Sequence, residues 1–160
     1  MKKIIFLLIF SISAILVSAQ EQVWHNDVEE AVKLSEQTKK PLLLFFTGSD
    51  WCGWCIRLQN EVFKTPEFTK WANEKVILVE LDFPRRKVLP EKIQAQNNEL
   101  QNFFQVSGFP TVWIVNANKT ADGKINLTQL GRTGYVAGGP AAWLAGANQM
   151  LETKPQTKAH

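Results

Sequence analysis

Apolar runs and amphipathic stretches follow one another along this chain in a readable order. Leu42-Leu43-Leu44-Phe45-Phe46 is apolar at every position, which fits a strand covered on both faces of a sheet rather than a half-exposed one. Ahead of it, Val28, Ala31, Val32 and Leu34 recur at helical spacing. Asn26 offers a cap, Asp27, Glu29 and Glu30 bring acids to the first turn, and Pro41 closes the element just after Lys39. Behind the strand, Gly48-Ser49-Asp50 is a turn, a helix is predicted over residues 52–63, and a shorter one follows Pro66 over residues 67–73. A second strand is expected at 76–82, a proline-interrupted loop at 83–94, a helix at 95–105 and a third strand at 111–116. Asp122-Gly123 turns the chain into a fourth strand at 124–130, and Gly131, Gly134, Gly138, Gly139 and Pro140 lead to a last helix at 141–151. Residues 153–160 read as a disordered tail.

This order, strand and helix alternating and then a hairpin with a terminal helix, argues for an α/β fold with a mixed sheet flanked by helices. At 160 residues and 45% hydrophobic content the chain suits one domain, placed at residues 20–152. The first 19 residues read as a secretory signal. Lys2 and Lys3 form its basic region, Ile4 to Val17 its apolar stretch, and Val17-Ser18-Ala19 its cleavage site. A membrane anchor is the rival, but the apolar stretch falls short of the roughly 20 residues that span a bilayer. Cleavage removes two lysines and takes the formal charge from +3 to +1, which gives no electrostatic case for nucleic acid. The expected location is therefore the periplasm or the exterior.

The chemistry concentrates at Trp51-Cys52-Gly53-Trp54-Cys55, which holds both of the chain's cysteines. A CxxC that follows a strand and opens a helix is a candidate redox dithiol. A thiol at a helix start faces free N–H groups and the positive end of the dipole, which lowers its pKa to somewhere within roughly 3.5–7.5. Cys55 lies one turn on, within disulfide reach of Cys52 and more buried. Three other readings stand beside this one. A zinc site wants four ligands, and His25 and His160 are the only histidines. A purely structural bridge would close a very short loop and constrain the unfolded chain little. A c-type haem site needs His after the second Cys, where Ile56 stands. Trp51 and Trp54 read as a semi-exposed apolar docking surface, and Trp24, Trp71, Trp113 and Trp143 as packing residues. The positive run around Arg85, Arg86 and Lys87 reads as a solvated loop.

Two separated motifs, Trp51-Cys52-Gly53-Trp54-Cys55 after a hydrophobic strand and Gly108-Phe109-Pro110-Thr111 entering the next, make the chain resemble the thioredoxin superfamily over residues 26–151. The resemblance implies a thioredoxin-like fold, a cis peptide before Pro110, and exported thiol–disulfide oxidoreductase activity, reductive in direction. It implies Cys52 as nucleophile and Cys55 as resolving thiol, with Trp51, Gly53, Trp54, Phe109 and Pro110 contacting substrate. Partners would be cysteine-containing proteins and a membrane-bound or soluble reductant; no cofactor or metal is called for, and a monomer is expected. A binding or chaperone module with a permanent bridge is the rival from another class, and an oxidant or isomerase the rival within the fold.

Two departures qualify the resemblance. Typical members carry an acid in the strand before the CxxC, whereas Leu42–Thr47 has none. Glu80, Asp82 and Asp50 are the remaining candidates to deprotonate Cys55, each read first as an exposed strand-end or turn carboxylate. Gly53-Trp54 also stands where the typical reductase has Gly-Pro.

Overall fold

The computed structural model describes residues 21–153. The predicted signal and all but the first residue of the predicted tail lie outside them. Five strands form one sheet in the order β1-β3-β2-β4-β5. They are β1 (Trp24–His25), β2 (Leu42–Thr47), β3 (Ile77–Asp82), β4 (Thr111–Lys119) and β5 (Ile125–Thr133). β1 and β2 run parallel to β3 on either side of it, while β4 is antiparallel to both β2 and β5. The sheet is therefore mixed, as the element order required.

β2 shows why its sequence is apolar without alternation. Leu43 and Phe45 belong to one core cluster and Leu42, Leu44 and Phe46 to the other, so both faces are covered. The first face carries α2 (Gly53–Leu58), which runs on as a π-helical stretch Gln59–Phe63, together with α3 (Pro66–Lys75) and α5 (Gly139–Glu152). The second face is covered by α1 (Val28–Thr38) and the end of α4 (Glu91–Phe103). Trp71 and Trp143 are buried in the first core, and Trp24 and Trp113 pack against the edges of the two clusters, so all four serve as packing residues.

Several boundaries differ from expectation, each for a physical reason. The α1 cap is Asp27, whose carboxylate accepts from Glu29 N–H at 2.9 Å; Asn26 lies one residue too early. β1 has two residues, too few for any periodicity to show. α4 starts at Glu91, directly after Pro90; Ile93 is the single apolar residue of its first turn, among exposed Glu91, Lys92 and Gln94, too little for a helical period to show. The helix is fixed instead by polar contacts: buried Asn97 donates to the Asp82 carbonyl at 2.9 Å, and Gln96 accepts from Val28 N–H at 2.8 Å. α5 begins two residues early, behind Gly138 at φ 109°, a conformation that favours glycine.

Candidate active site

The dithiol sits where β2 hands over to α2. Cys52 caps the helix in an extended conformation, and its Sγ accepts from Cys55 N–H at 3.2 Å. The two sulfurs are bonded to each other, with Cα atoms 5.3 Å apart. Cys52 keeps 6% of its surface and Cys55 none, so the residue at the helix start is the outer one of the pair. Among the described residues, no group of three or more His, Cys, Asp or Glu is placed to hold a metal ion.

The turn before Cys52 is fixed by its own backbone and by β3. Trp51 and Cys52 N–H both donate to the Gly48 carbonyl. Ser49 donates to Asp82 through its N–H at 2.8 Å and its hydroxyl at 2.7 Å, and Lys87 pairs with the same carboxylate at 2.8 Å. Asp82 is thus buried and engaged rather than exposed, which corrects the sequence reading. Asp50 is engaged too, accepting from the backbone N–H of Arg85 at 3.0 Å and of Arg86 at 2.7 Å. Those bonds hold its carboxyl below the usual range, the Arg85 N–H foremost. Glu80 is half-buried and goes the other way: burial, and then the nearby Asp82 charge, push it up. It lies beside Phe45 on the dithiol's side of the sheet. There it lines a cavity of about 260 Å³ with Trp24, Gln59, Phe63 and Lys64.

Around the sulfurs stands an aromatic rim. Phe109 and Pro110 are joined by a cis peptide bond. Phe109 packs against the core cluster that contains both cysteines, stacks on Phe83 at 5.1 Å and meets Trp51 edge-on at 5.9 Å. Trp51 is 37% exposed and Trp54 55%, with Ile56 and Val136 also exposed. A semi-exposed apolar surface is therefore present, as Trp51 and Trp54 suggested. Gly53 opens α2 with no atom within 4 Å of where a Cβ would sit, so the helix start is bare.

Residues 23–117, which run from β1 through the Cys52 turn and the cis-Pro into β4, match the Thioredoxin-like family. The chain belongs to that family. Its relatives include Disulfide bond reductase DsbH of Chlamydia pneumoniae, 36% identical over 138 residues, which span 86% of this chain and 78% of that protein. Thioredoxin-related protein DsbJ of the same organism is 34% identical over 114 residues, 68% of this chain and 33% of that protein. The solved structure of a DsbH oxidoreductase superposes with a TM-score of 0.72 at 36% identity, covering 85% of this chain and 89% of that one. A thioredoxin from Thermus thermophilus shares the fold, with a TM-score of 0.58 at 16% identity over 82% of this chain and 88% of its own. This family member is a thiol–disulfide oxidoreductase.

Sequence reasoning missed the partners of the thioredoxin-like rim. Tyr135 packs on Trp54 at 5.1 Å and donates to Glu61 at 2.6 Å. Arg57 lies 5.3 Å from the Trp54 ring and 5.0 Å from Tyr135, and pairs with Glu61 at 2.6 Å. Arg85 lies 3.9 Å over Trp51. Two signals were available: Tyr135 is the chain's single tyrosine, and Arg57–Glu61 has the helical i, i+4 spacing.

Proposed function

We propose that this chain is an exported, reductive thiol–disulfide oxidoreductase for cysteine-containing proteins, with Cys52 the nucleophile and Cys55 the resolving thiol. In the reduced protein the Cys52 thiolate attacks one sulfur of a substrate disulfide. That bond breaks, its other sulfur leaves as a thiolate and takes a proton from water, and a mixed disulfide to Cys52 forms. Cys55 then gives up its proton, attacks the Cys52 sulfur and expels the second substrate thiol. Two electrons have passed to substrate, and the protein is left with the Cys52–Cys55 bridge.

The asymmetry of the pair carries this reading. Cys52 is the residue of the pair that retains exposure, and its sulfur already receives an N–H at the helix start, a donor suited to a thiolate. Trp51, Gly53, Trp54, Phe109 and Pro110 are the substrate-contacting residues of this proposal, supported by the exposure of Trp51, Gly53 and Trp54 and by the packing of half-buried Phe109 on Trp51. The reductive direction is supported by the 36% identity to a protein named for disulfide reduction. Export rests on the basic and apolar pattern of residues 1–19, and the working domain is 20–152. In an oxidising compartment a membrane-bound or soluble reductant must restore the dithiol.

Insulin reduction tests the chemistry: wild type should exceed Cys52→Ser, and Cys55→Ala should accumulate a mixed disulfide. Equal rates for wild type and Cys52→Ser would reject it. Direction is read from denaturation of the two redox forms, because a strong oxidant is one whose reduced form is stabilised. The oxidised form should resist denaturant better, and the reverse order would make this chain an oxidant.

A further inference from the structure

We propose that Arg85 is a specificity-determining residue, its guanidinium favouring disulfide substrates that carry a carboxylate next to the attacked cysteine. The inference rests on Cys52 being the sulfur that meets substrate, as proposed above, and names the substrate class that this site prefers.

The loop that bears Arg85 is fastened to the turn that bears Cys52. Asp50 accepts from the N–H groups of Arg85 and Arg86, Trp51 Nε1 donates to the Phe83 carbonyl at 2.8 Å, and Phe83 N–H donates to the Thr47 carbonyl at 2.9 Å. Lys87 closes the loop on Asp82. The indole lies against Gly48, where a Cβ would sit 2.5 Å from Nε1, so the ring uses the room that this glycine leaves. Arg85 therefore sits at a defined place beside the residue that precedes Cys52.

Its charge is available there. The carboxylates nearest the Cys52 turn are engaged elsewhere, Asp50 with backbone amides, Asp82 with Ser49 and Lys87, Glu61 with Arg57 and Tyr135, while half-buried Glu80 lies beside Phe45 in the cavity lined by Trp24 and Phe63. Among the described residues, Arg57 and Lys87 each pair with a carboxylate, and Arg85 makes no such pair. Arg86 is exposed as well, but its charge acts on Asp50. Lying over a ring occupies a face of the guanidinium and leaves its N–H edges free to grip a carboxylate in two-point fashion. A substrate strand whose cysteine reaches Cys52 passes Trp51, so a neighbouring Asp or Glu meets that edge, while Lys or Arg meets repulsion.

The test uses the full chain, reduced with dithiothreitol and freed of it, in single-turnover reduction of two quenched disulfide peptides that differ only in Glu or Lys beside the cysteine. At low salt the Glu peptide should react at least about threefold faster, as an exposed charge pair allows. The ratio should approach one in about 0.5 M salt, where screening is strong. Arg85→Gln should remove most of the preference and Arg85→Glu should invert it, while removal of a remote charge by Lys33→Gln should leave it intact. Equal wild-type rates for the two peptides, or a preference that survives Arg85→Gln, would overturn the inference while leaving the reductase reading in place. Wild type that reduces neither peptide faster than Cys52→Ser would instead bring down that reading and this inference with it.

Discussion

The two indoles beside the Cys52–Cys55 bridge are three residues apart and are held in opposite ways. Trp51 is locked: its Nε1 donates to Phe83, its ring lies against the Gly48 backbone, Phe109 abuts it edge-on and Arg85 covers it. Trp54 is more exposed and is steadied by side chains alone, Tyr135 and Arg57, themselves joined through Glu61. A backbone-anchored ring makes a fixed wall with a constant charge beside it. A ring resting on side chains alone has no such tie to the backbone. On the proposals above, the Trp51 flank is the selective one and the Trp54 flank supplies apolar contact, and substitutions on the two flanks should have unequal consequences.

Gly48→Ala should break the contrast most severely. The added methyl meets the middle of the Trp51 indole, which the Phe83 bond prevents from moving aside. Overpacking of this kind costs about 1–3 kcal/mol, read by thermal unfolding of the oxidised chain, with a change in tryptophan emission as the ring is displaced. Gly53→Ala is the matched control on the other flank, with open space at its Cβ and a helical position where alanine is the better residue. It should be neutral or slightly stabilising. Equal losses at both glycines would show that the Trp51 wall is no more rigid than its neighbour.

Asp50 and Glu80 extend the contrast to charge, because their surroundings act on them with opposite sign. The folded Asp50 carboxyl lies below its ordinary value, so the stabilisation it gives is present above the ordinary range and disappears as pH falls through the lowered folded value. Asp50→Asn should speed hydrogen exchange at the Arg85 and Arg86 amides at neutral pH, with the difference fading in acid. Unchanged exchange at pH 7 would mean that the loop is held without the charge. Glu80 is raised by burial, so its contribution is full below the ordinary carboxylate range and is lost as pH rises through the folded value. Glu80→Gln should therefore melt higher than wild type at pH 7, with the gap closing toward pH 4. A gap that is absent at pH 7 or independent of pH would refute this.

These opposed environments also explain what the sequence could and could not disclose. β2 was legible to the residue because burial on both faces leaves a short unbroken apolar run, bounded by Pro41 and the Gly48 turn. The dithiol was legible from its CxxC spacing, and the cis peptide before Pro110 from the resemblance to the thioredoxin superfamily. Asp82, read as an exposed strand end, is buried with Ser49 and Lys87 satisfying it, and nothing local announces a partner such as Ser49, 33 residues away. Glu61 and Tyr135, 74 positions apart, meet only once the β5–α5 connection folds back over α2. Sequence displays repeating burial and contiguous motifs; it hides single polar contacts made across the fold, and those contacts are what distinguish the two indoles.

Tyr135→Phe should have the smallest effect, and it separates the ring from the hydroxyl on the Trp54 flank. The phenyl ring keeps its place against Trp54 and Arg57, while the hydroxyl donation to Glu61 is lost. That donation is the foremost cause of the low Glu61 carboxyl pKa, ahead of Arg57. In the variant Glu61 should titrate closer to its ordinary value in carbon-detected NMR, with melting temperature and Trp54 emission nearly those of wild type. A marked emission shift would show that the hydroxyl, not ring packing, fixes the indole. The Trp54 flank would then be anchored by a hydrogen bond as the Trp51 flank is, and the division between the two flanks would fail.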